Sequence, residues 1–424
     1  MRLRSDHHNS VILSLAPDTT SSSCFVVDHD LTIPRRGGSI LQYLPGFICY
    51  TSWGKPRIYN PATRHLVTFP AAIISNIIIT PPPGEGAKVV SYYFGHDHVS
   101  DQYVVVCSTG VRTRFRQEMR SEHRVFFLEA GGRGIWKKAA PTCPADFRPH
   151  IPVKGGVCID GVIYYLGWTD SYNSVLVSFH IRSGEFKMIQ VPRRDGDELR
   201  SRVTDVSLIE YGGKVTLIVQ SNLREKGRLD LWAVEDAGSN KWSRKTLVLQ
   251  PSQLHLVNND TIFKVNGTTQ NGKVFLIPEN LFSPFHILCY DLQSNDMRKI
   301  EIKGVPDHWF SKDKMNVIVT LMDHSERLLN VMHTGSLNSN PKRLFTRRRP
   351  EMEIPPMDVV RDEILTKLPA KTLMRFKCVS KLWSSYISSR YFSSRFHSVP
   401  SRPRPRLYMC LRDMISVTIG SGHY

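Results

Sequence analysis

The stretch Asp160-Gly161-Val162-Ile163-Tyr164-Tyr165-Leu166 decides how most of this chain folds. An Asp-Gly pair supplies the two positive-φ positions of a tight hairpin turn, and the apolar run behind it, rich in β-branched and aromatic residues, reads as a strand. The device returns at Gly212-Gly213 before Val215-Thr216-Leu217-Ile218-Val219, and at Asn271-Gly272 before Val274-Phe275-Leu276-Ile277. Gly161, Gly213 and Gly272 lie 52 and 59 residues apart. A period of that order marks stacked supersecondary units, each too small to bury its own faces.

A second element recurs after each turn: a strand, a polar turn and a return strand. Its copies are Arg57 to Leu66, Val125 to Trp136, Val177 to Phe186, Leu231 to Trp242 and Cys289 to Met297. Leu128 to Trp136 and Val234 to Trp242 each span eight residues; Pro61 to Leu66, Ile181 to Phe186 and Leu292 to Met297 each span five. The spacing predicts an outer hairpin whose large side chain packs between neighbours, so Trp136 and Trp242 are expected at equivalent packing positions rather than in a ligand cage. Residues 1–335 are therefore expected to be mainly β, a propeller-like ring of five to seven antiparallel blades with a period near that of kelch-type blades. A large β-sandwich is the alternative.

Composition bounds the rest. A chain of 424 residues exceeds what one compact core usually holds, and 41% hydrophobic with 22% charged residues is ordinary globular usage. The longest apolar run, Ala71 to Ile79, is interrupted by Ser75 and Asn76 and falls short of a membrane-spanning helix, and the N-terminus lacks the apolar segment of a signal peptide. The eight cysteines are scattered without a Cys-x-x-Cys pair. These features predict a reduced intracellular setting, nucleus or cytoplasm, with no membrane partner. His96-Asp97-His98 offers two imidazoles without a third ligand nearby, and no nucleophile elbow or phosphate loop appears. No metal, cofactor or catalytic residue is expected.

The net charge of +18 is spread through the chain, except in the polar segment 336–350. There Lys342, Arg343, Arg347, Arg348 and Arg349 form a basic run, readable as a nuclear-import signal or as a solvated linker. The aromatic-rich basic motif of an RNA-binding module is missing, so nucleic acid is not expected as a partner. Residues 351–398 then change to a helical pattern. Val360, Ile364 and Leu368 form one stripe with Leu365 beside it; Pro369 stops that helix; Leu373, Phe376, Leu382, Trp383, Tyr386 and Ile387 mark two more. Three short helices bury little surface alone, so a partner is expected to complete them. The Arg/Pro-rich tail, 399–424, is expected to be poorly ordered.

The helical segment resembles the F-box of plant F-box proteins. The resemblance is carried by Ile354-Pro355-Pro356-Met357-Asp358, by Leu368-Pro369-Ala370-Lys371, and by Arg375-Phe376-Lys377-Cys378-Val379-Ser380-Lys381-Leu382-Trp383. The β part is similar to the F-box-associated domain of those proteins through Tyr59-Asn60-Pro61-Ala62-Thr63-Arg64 and Tyr93-Phe94-Gly95-His96-Asp97. The resemblance implies the substrate receptor of an SCF-type (cullin–RING) ubiquitin ligase, in which the F-box binds an SKP-type adaptor, and through it cullin, while the β domain binds a target protein. It places the adaptor contacts and the small helical core at Ile354, Pro355, Ile364, Leu365, Leu368, Pro369, Leu373, Val379, Leu382 and Trp383. The rival readings are an adaptor-independent protein- or nucleic-acid-binding protein, and the non-functional product of a fused gene model. Two departures stand out. The F-box follows the β domain here, reversing the family order, and the segment Asp358 to Glu363 is one residue longer than the usual first helix. The segment Ser401 to Tyr408 also looks like the start of the post-F-box segment of another such protein.

Overall fold

The computed structural model describes residues 10–18, 23–34, 39–44, 47–52, 54–61, 65–72, 88–112, 119–128, 134–139, 147–169, 174–192, 206–257, 261–269, 272–310, 317–324, 365, 373, 376–377, 381–389, 392 and 406–413. In chain order the strands are β1 (Ser10–Pro17), β2 (Cys24–Pro34), β3 (Ser39–Leu44), β4 (Phe47–Ser52), β5 (Lys55–Asn60), β6 (His65–Thr68), β7 (Val89–Asp97), β8 (Gln102–Arg112), β9 (Met119–Leu128) and β10 (Trp136–Ala139). They continue as β11 (Ile151–Ile159), β12 (Val162–Trp168), β13 (Ser174–His180), β14 (Glu185–Gln190), β15 (Val206–Tyr211), β16 (Lys214–Val219), β17 (Arg228–Asp236) and β18 (Lys241–Val248). The last are β19 (Phe263–Thr268), β20 (Lys273–Pro278), β21 (His286–Asp291), β22 (Asp296–Lys303), β23 (Val317–His324) and β24 (Arg406–Asp413). Two short helices, α1 (Leu223–Lys226) and α2 (Lys381–Ile387), complete the elements used below.

Local turn chemistry sets the repeat. Gly161, Gly213 and Gly272 sit in the β11–β12, β15–β16 and β19–β20 hairpins with φ of +76°, +74° and +73°. A side chain would be strained at each position. The return-strand copies are the second hairpin of each unit: β5–β6, β9–β10, β13–β14, β17–β18 and β21–β22, all antiparallel. Four strands in sequence thus make one sheet, in the orders β3 to β6, β7 to β10, β11 to β14 and β15 to β18. An eight-stranded sheet, β19-β20-β21-β22-β2-β1-β24-β23, holds the rest. It divides where β22 meets β2 in parallel, since every other pairing in it is antiparallel. The result is a propeller of six four-stranded blades, within the expected range, and not a sandwich.

The cores lie between blades. One cluster joins blade one to blade two through Phe47, Ile58, Phe69, Phe94 and Phe126; others join two to three, three to four, four to five and five to six. The ring closes through Ile12, Tyr408 and Cys410 of blade six against Ile48, Tyr50 and Tyr59 of blade one. Each blade face is therefore covered by a neighbour, which is what stacking small sheets must achieve.

The sixth blade corrects the expectation for the tail. Its order from the centre outward is β23, β24, β1, β2, so both ends of the β-rich chain meet in it. β24 lies in the segment expected to be poorly ordered, yet it pairs with β23 over its whole length and with β1 from Leu407 to Arg412. Leu407, Tyr408, Met409, Cys410 and Leu411 are all buried. Leu407, Met409 and Leu411 face blade five and Tyr408 and Cys410 face blade one. A strand covered on both faces reads as an unbroken apolar run, without the alternation that marks a half-exposed strand.

Candidate functional site

Within the helical module the longest described element is α2. Trp383 and Ile387, four residues apart, share one face of the helix, and Tyr386 lies beside them. At its end the Ser389 hydroxyl donates to the carbonyl of Tyr386 at 2.7 Å and accepts from the Phe392 amide at 3.1 Å, which turns Phe392 into the core. There Phe392, Ile387, Leu373 and Leu365 are buried together, and Phe376, Trp383 and Tyr386 pack against them. Phe376 meets Trp383 with ring centroids 6.0 Å apart, and Tyr386 meets Phe392 at 5.2 Å. Leu365 and Leu373, expected among the adaptor contacts, are 1% and 0% exposed. Of the two roles the resemblance gives this set, adaptor contact and small helical core, these two side chains take the second: the apolar stripe of a short helix must first cover its own module. Trp383 is half-buried and keeps part of its surface open. Ile354, Pro355, Ile364, Leu368, Pro369, Val379 and the side chain of Leu382 lie outside the described residues, as do Lys342, Arg343, Arg347, Arg348 and Arg349.

The propeller offers two ends. In an antiparallel blade the first and second hairpins open at one end of the ring, and the middle connection and the passage to the next blade open at the other. The connection from β23 to β24, which carries the helical module, is a first hairpin. At the opposite end a cleft of about 200 Å³ lies between blades four and five, lined by Gln220, Leu223, Arg224, Glu225, Val257 and Ile262 among others. Ile262 is 50% exposed, and Phe282, on the middle connection of blade five, is 60% exposed. Gln220 builds the cleft wall. Its carboxamide accepts from the Val265 amide at 2.8 Å and donates to the Phe263 carbonyl at 3.3 Å, tying blade four to blade five. Gln42 makes the same double contact from blade one to both polar groups of Phe94 in blade two, at 2.6 and 2.9 Å. Neither glutamine stands out in the sequence, because their partners are main-chain groups about one blade away.

The tryptophans take equivalent places, as expected. The Trp136 indole donates to the carbonyl of Pro70 at 2.9 Å, and that of Trp242 donates to the carbonyl of Gln190 at 3.0 Å. Gln190 is the last residue of the outer strand of the preceding blade, and Pro70 lies two residues beyond the end of its counterpart. The segment around His96 is a blade joint. His96 stacks on Tyr103 at 4.1 Å and its Nε2 lies 3.0 Å from Asp101, while His98 meets it edge-on. Asp97 is buried and turns away, taking two hydrogen bonds from Arg182 of blade three at 2.8 and 3.0 Å and two from Ser100. Burial works to raise its carboxyl, but the Ser100 and Arg182 donors outweigh it and hold it well below the usual carboxylate range. Among the described residues no group of three or more His, Cys, Asp or Glu side chains is placed to hold a metal ion.

A buried histidine pair went unread in the sequence. His123 stacks on His150 at 5.1 Å, with Phe147 and Phe186 around them. His150 Nε2 lies 3.2 Å from the Tyr165 hydroxyl and its Nδ1 3.1 Å from the Arg148 carbonyl. Neither nitrogen of His123 meets a partner among the described residues. Burial, and for His123 also its neighbour His150, pushes the rings down to about 3 and about 4, so both are neutral near pH 7.

Comparison with known proteins gives this arrangement a context. Residues 2–325 match the F-box associated beta propeller domain, and residues 358–395 match the F-box domain. An F-box/LRR-repeat protein of Arabidopsis thaliana is 46% identical over 319 residues, covering 74% of this chain and 71% of that protein. An F-box protein of the same plant is 42% identical over 322 residues, covering 75% and 76%. An F-box/kelch-repeat protein, also from Arabidopsis thaliana, is 37% identical over 309 residues, covering 69% and 68%.

Proposed function

Because this chain belongs to the F-box proteins that carry an F-box associated beta propeller domain, we propose that it is the substrate receptor of an SCF-type ubiquitin ligase. The observation that carries the reading is the presence, in one chain, of an F-box and a closed propeller with a cleft at the end opposite the β23–β24 connection that carries the F-box match. The F-box binds an SKP-type adaptor and through it cullin. The propeller binds a target protein, and the blade four–five cleft, lined in part by the exposed Ile262 and opening at the same end of the ring as the blade-five connection that carries Phe282, is the surface best suited to that role. The chain itself makes and breaks no covalent bond. It works by proximity, raising the effective concentration of target lysines near the charged conjugating enzyme. It acts inside the cell, in the nucleus or cytoplasm. Among the described residues no helix is long and apolar enough to cross a membrane.

Leu368 and Pro369 precede the buried Leu373, and with Trp383 they are the proposed centre of the adaptor surface; large apolar side chains at such centres carry most of the binding energy. The test is co-precipitation of the full chain with an SKP-type adaptor. Wild type is expected to bind at micromolar concentration, and Leu368→Ala combined with Pro369→Ala to lose binding while the β-sheet circular dichroism is kept. A wild-type chain that fails to bind would overturn the ligase reading. A double variant that binds as well as wild type would overturn the assigned contacts.

A further inference from the structure

In blades two to five the first hairpin is closed by a short turn. In blade six the same hairpin is opened by residues 325–405, which include the F-box match. His324 and Arg406 are cross-strand neighbours, so the chain leaves the propeller and returns to it at one point. What returns is a complete inner strand. β24 is bonded to β23 on one side and β1 on the other, and it sends alternate side chains into the cores shared with blades five and one. An open sheet edge on either flank would be a row of unsatisfied main-chain groups, and β24 covers both at once.

We infer that the F-box module is an insertion in the closing blade, held to the propeller at two joints. One is the covalent connection through 325–357. The other is the seating of β24 in the slot between β1 and β23, and this second joint is sufficient by itself to hold the module in place. The entropy of closing a loop grows only logarithmically with its length, so the long insert leaves the seating of its final strand nearly as favourable as that of a short hairpin. A strand paired on both sides and buried on both faces leaves no route out except by opening the ring. Both chain connections of the module therefore emerge at the hairpin end of blade six, at the end of the ring opposite the blade four–five cleft. The inference goes beyond the ligase reading and holds whether or not an adaptor binds.

The test cuts the first joint in the full chain. A recognition sequence for a site-specific protease is inserted between Asn338 and Ser339, the purified protein is cleaved, and the products are run on a sizing column at micromolar concentration. The expected result is a single peak at the mass of one chain that contains both pieces, with unchanged circular dichroism. Separation of the pieces, whether the 1–338 piece stays folded or aggregates, would overturn the inference. A peak at twice the mass would overturn it too, because the slot would then take its strand from a second copy. The variant Met409→Lys, cut in the same way, should release the 339–424 piece. Retention in that variant would place the joint elsewhere and contradict the role given to β24.

Discussion

Blades two to five and blade six reach the same four-stranded form by opposite routes. Each of the first group is one continuous stretch of chain, and in blades three to five the first hairpin is written locally, in Asp160-Gly161, Gly212-Gly213 and Asn271-Gly272. Blade six takes two strands from the start of the described chain and two from segments some eighty residues apart near its end. Contiguous blades need only short loops to close, whereas blade six forms only when strands from both ends of the described chain come together. The contrast predicts that damage to blade six acts on the whole ring, and damage to a contiguous blade on its own joint.

The largest effect should come from deleting 406–424. That removes β24, opens the facing edges of β1 and β23, and strips both the blade five–six and six–one cores of side chains. Loss of the cooperative thermal transition is the expected outcome. A truncated chain that melts within a few degrees of wild type would show that blade six closes without its tail strand.

Acid should invert the comparison, because the histidine pair lies between two contiguous blades. His123 and His150 titrate near 6.5 when unfolded and at about 3 and about 4 when folded. Below about pH 6.5 the unfolded chain therefore takes up protons that the folded one refuses, and stability falls. At about pH 5 the loss is on the order of 2 kcal/mol from each ring. Denaturant midpoints measured between pH 7 and 5 check this, and His123→Leu should remove about half of the slope. An unchanged slope would mean the ring is not buried neutral.

The tryptophans provide a matched pair within the contiguous blades. Trp136→Ala and Trp242→Ala should each cost about 2–3 kcal/mol, below the full penalty for a buried aromatic because both are half-exposed. Losses differing by more than about 1 kcal/mol would break the equivalence of the two blades. Smaller still is the joint between blades two and three. Arg182→Ala should cost about 1–2 kcal/mol, since the guanidinium is half-exposed and Ser100 continues to hold Asp97. A neutral result there would assign the joint to packing alone.

The sequence was informative where structure is local. Turn glycines, return-strand spacing and the tryptophan placements are set by neighbours within one hairpin, and all could be read. The run Leu407 to Leu411 was not, because Arg402, Pro403, Arg404 and Pro405 before it suggest an exposed tail, and because strands buried on both faces lose their alternation. The helical module was legible through its motif, but a stripe of apolar residues does not distinguish an inward side from a partner-facing one, and Leu365 and Leu373 turned out to be inward. The blade-to-blade contacts of Gln42, Gln220 and the His123–His150 pair join positions distant in sequence, and nothing local marks them.

Hydrogen exchange on the intact chain tests the role of blade six most directly. If β24 is an integral inner strand, the amides of 407–412 should exchange as slowly as those of 103–108 in β8, and the two sets should become exposed together as denaturant is raised. Exchange of 407–412 within seconds, while 103–108 remain protected, would contradict the account: the propeller would then be closed without the tail, and the F-box would hang from it by a single connection.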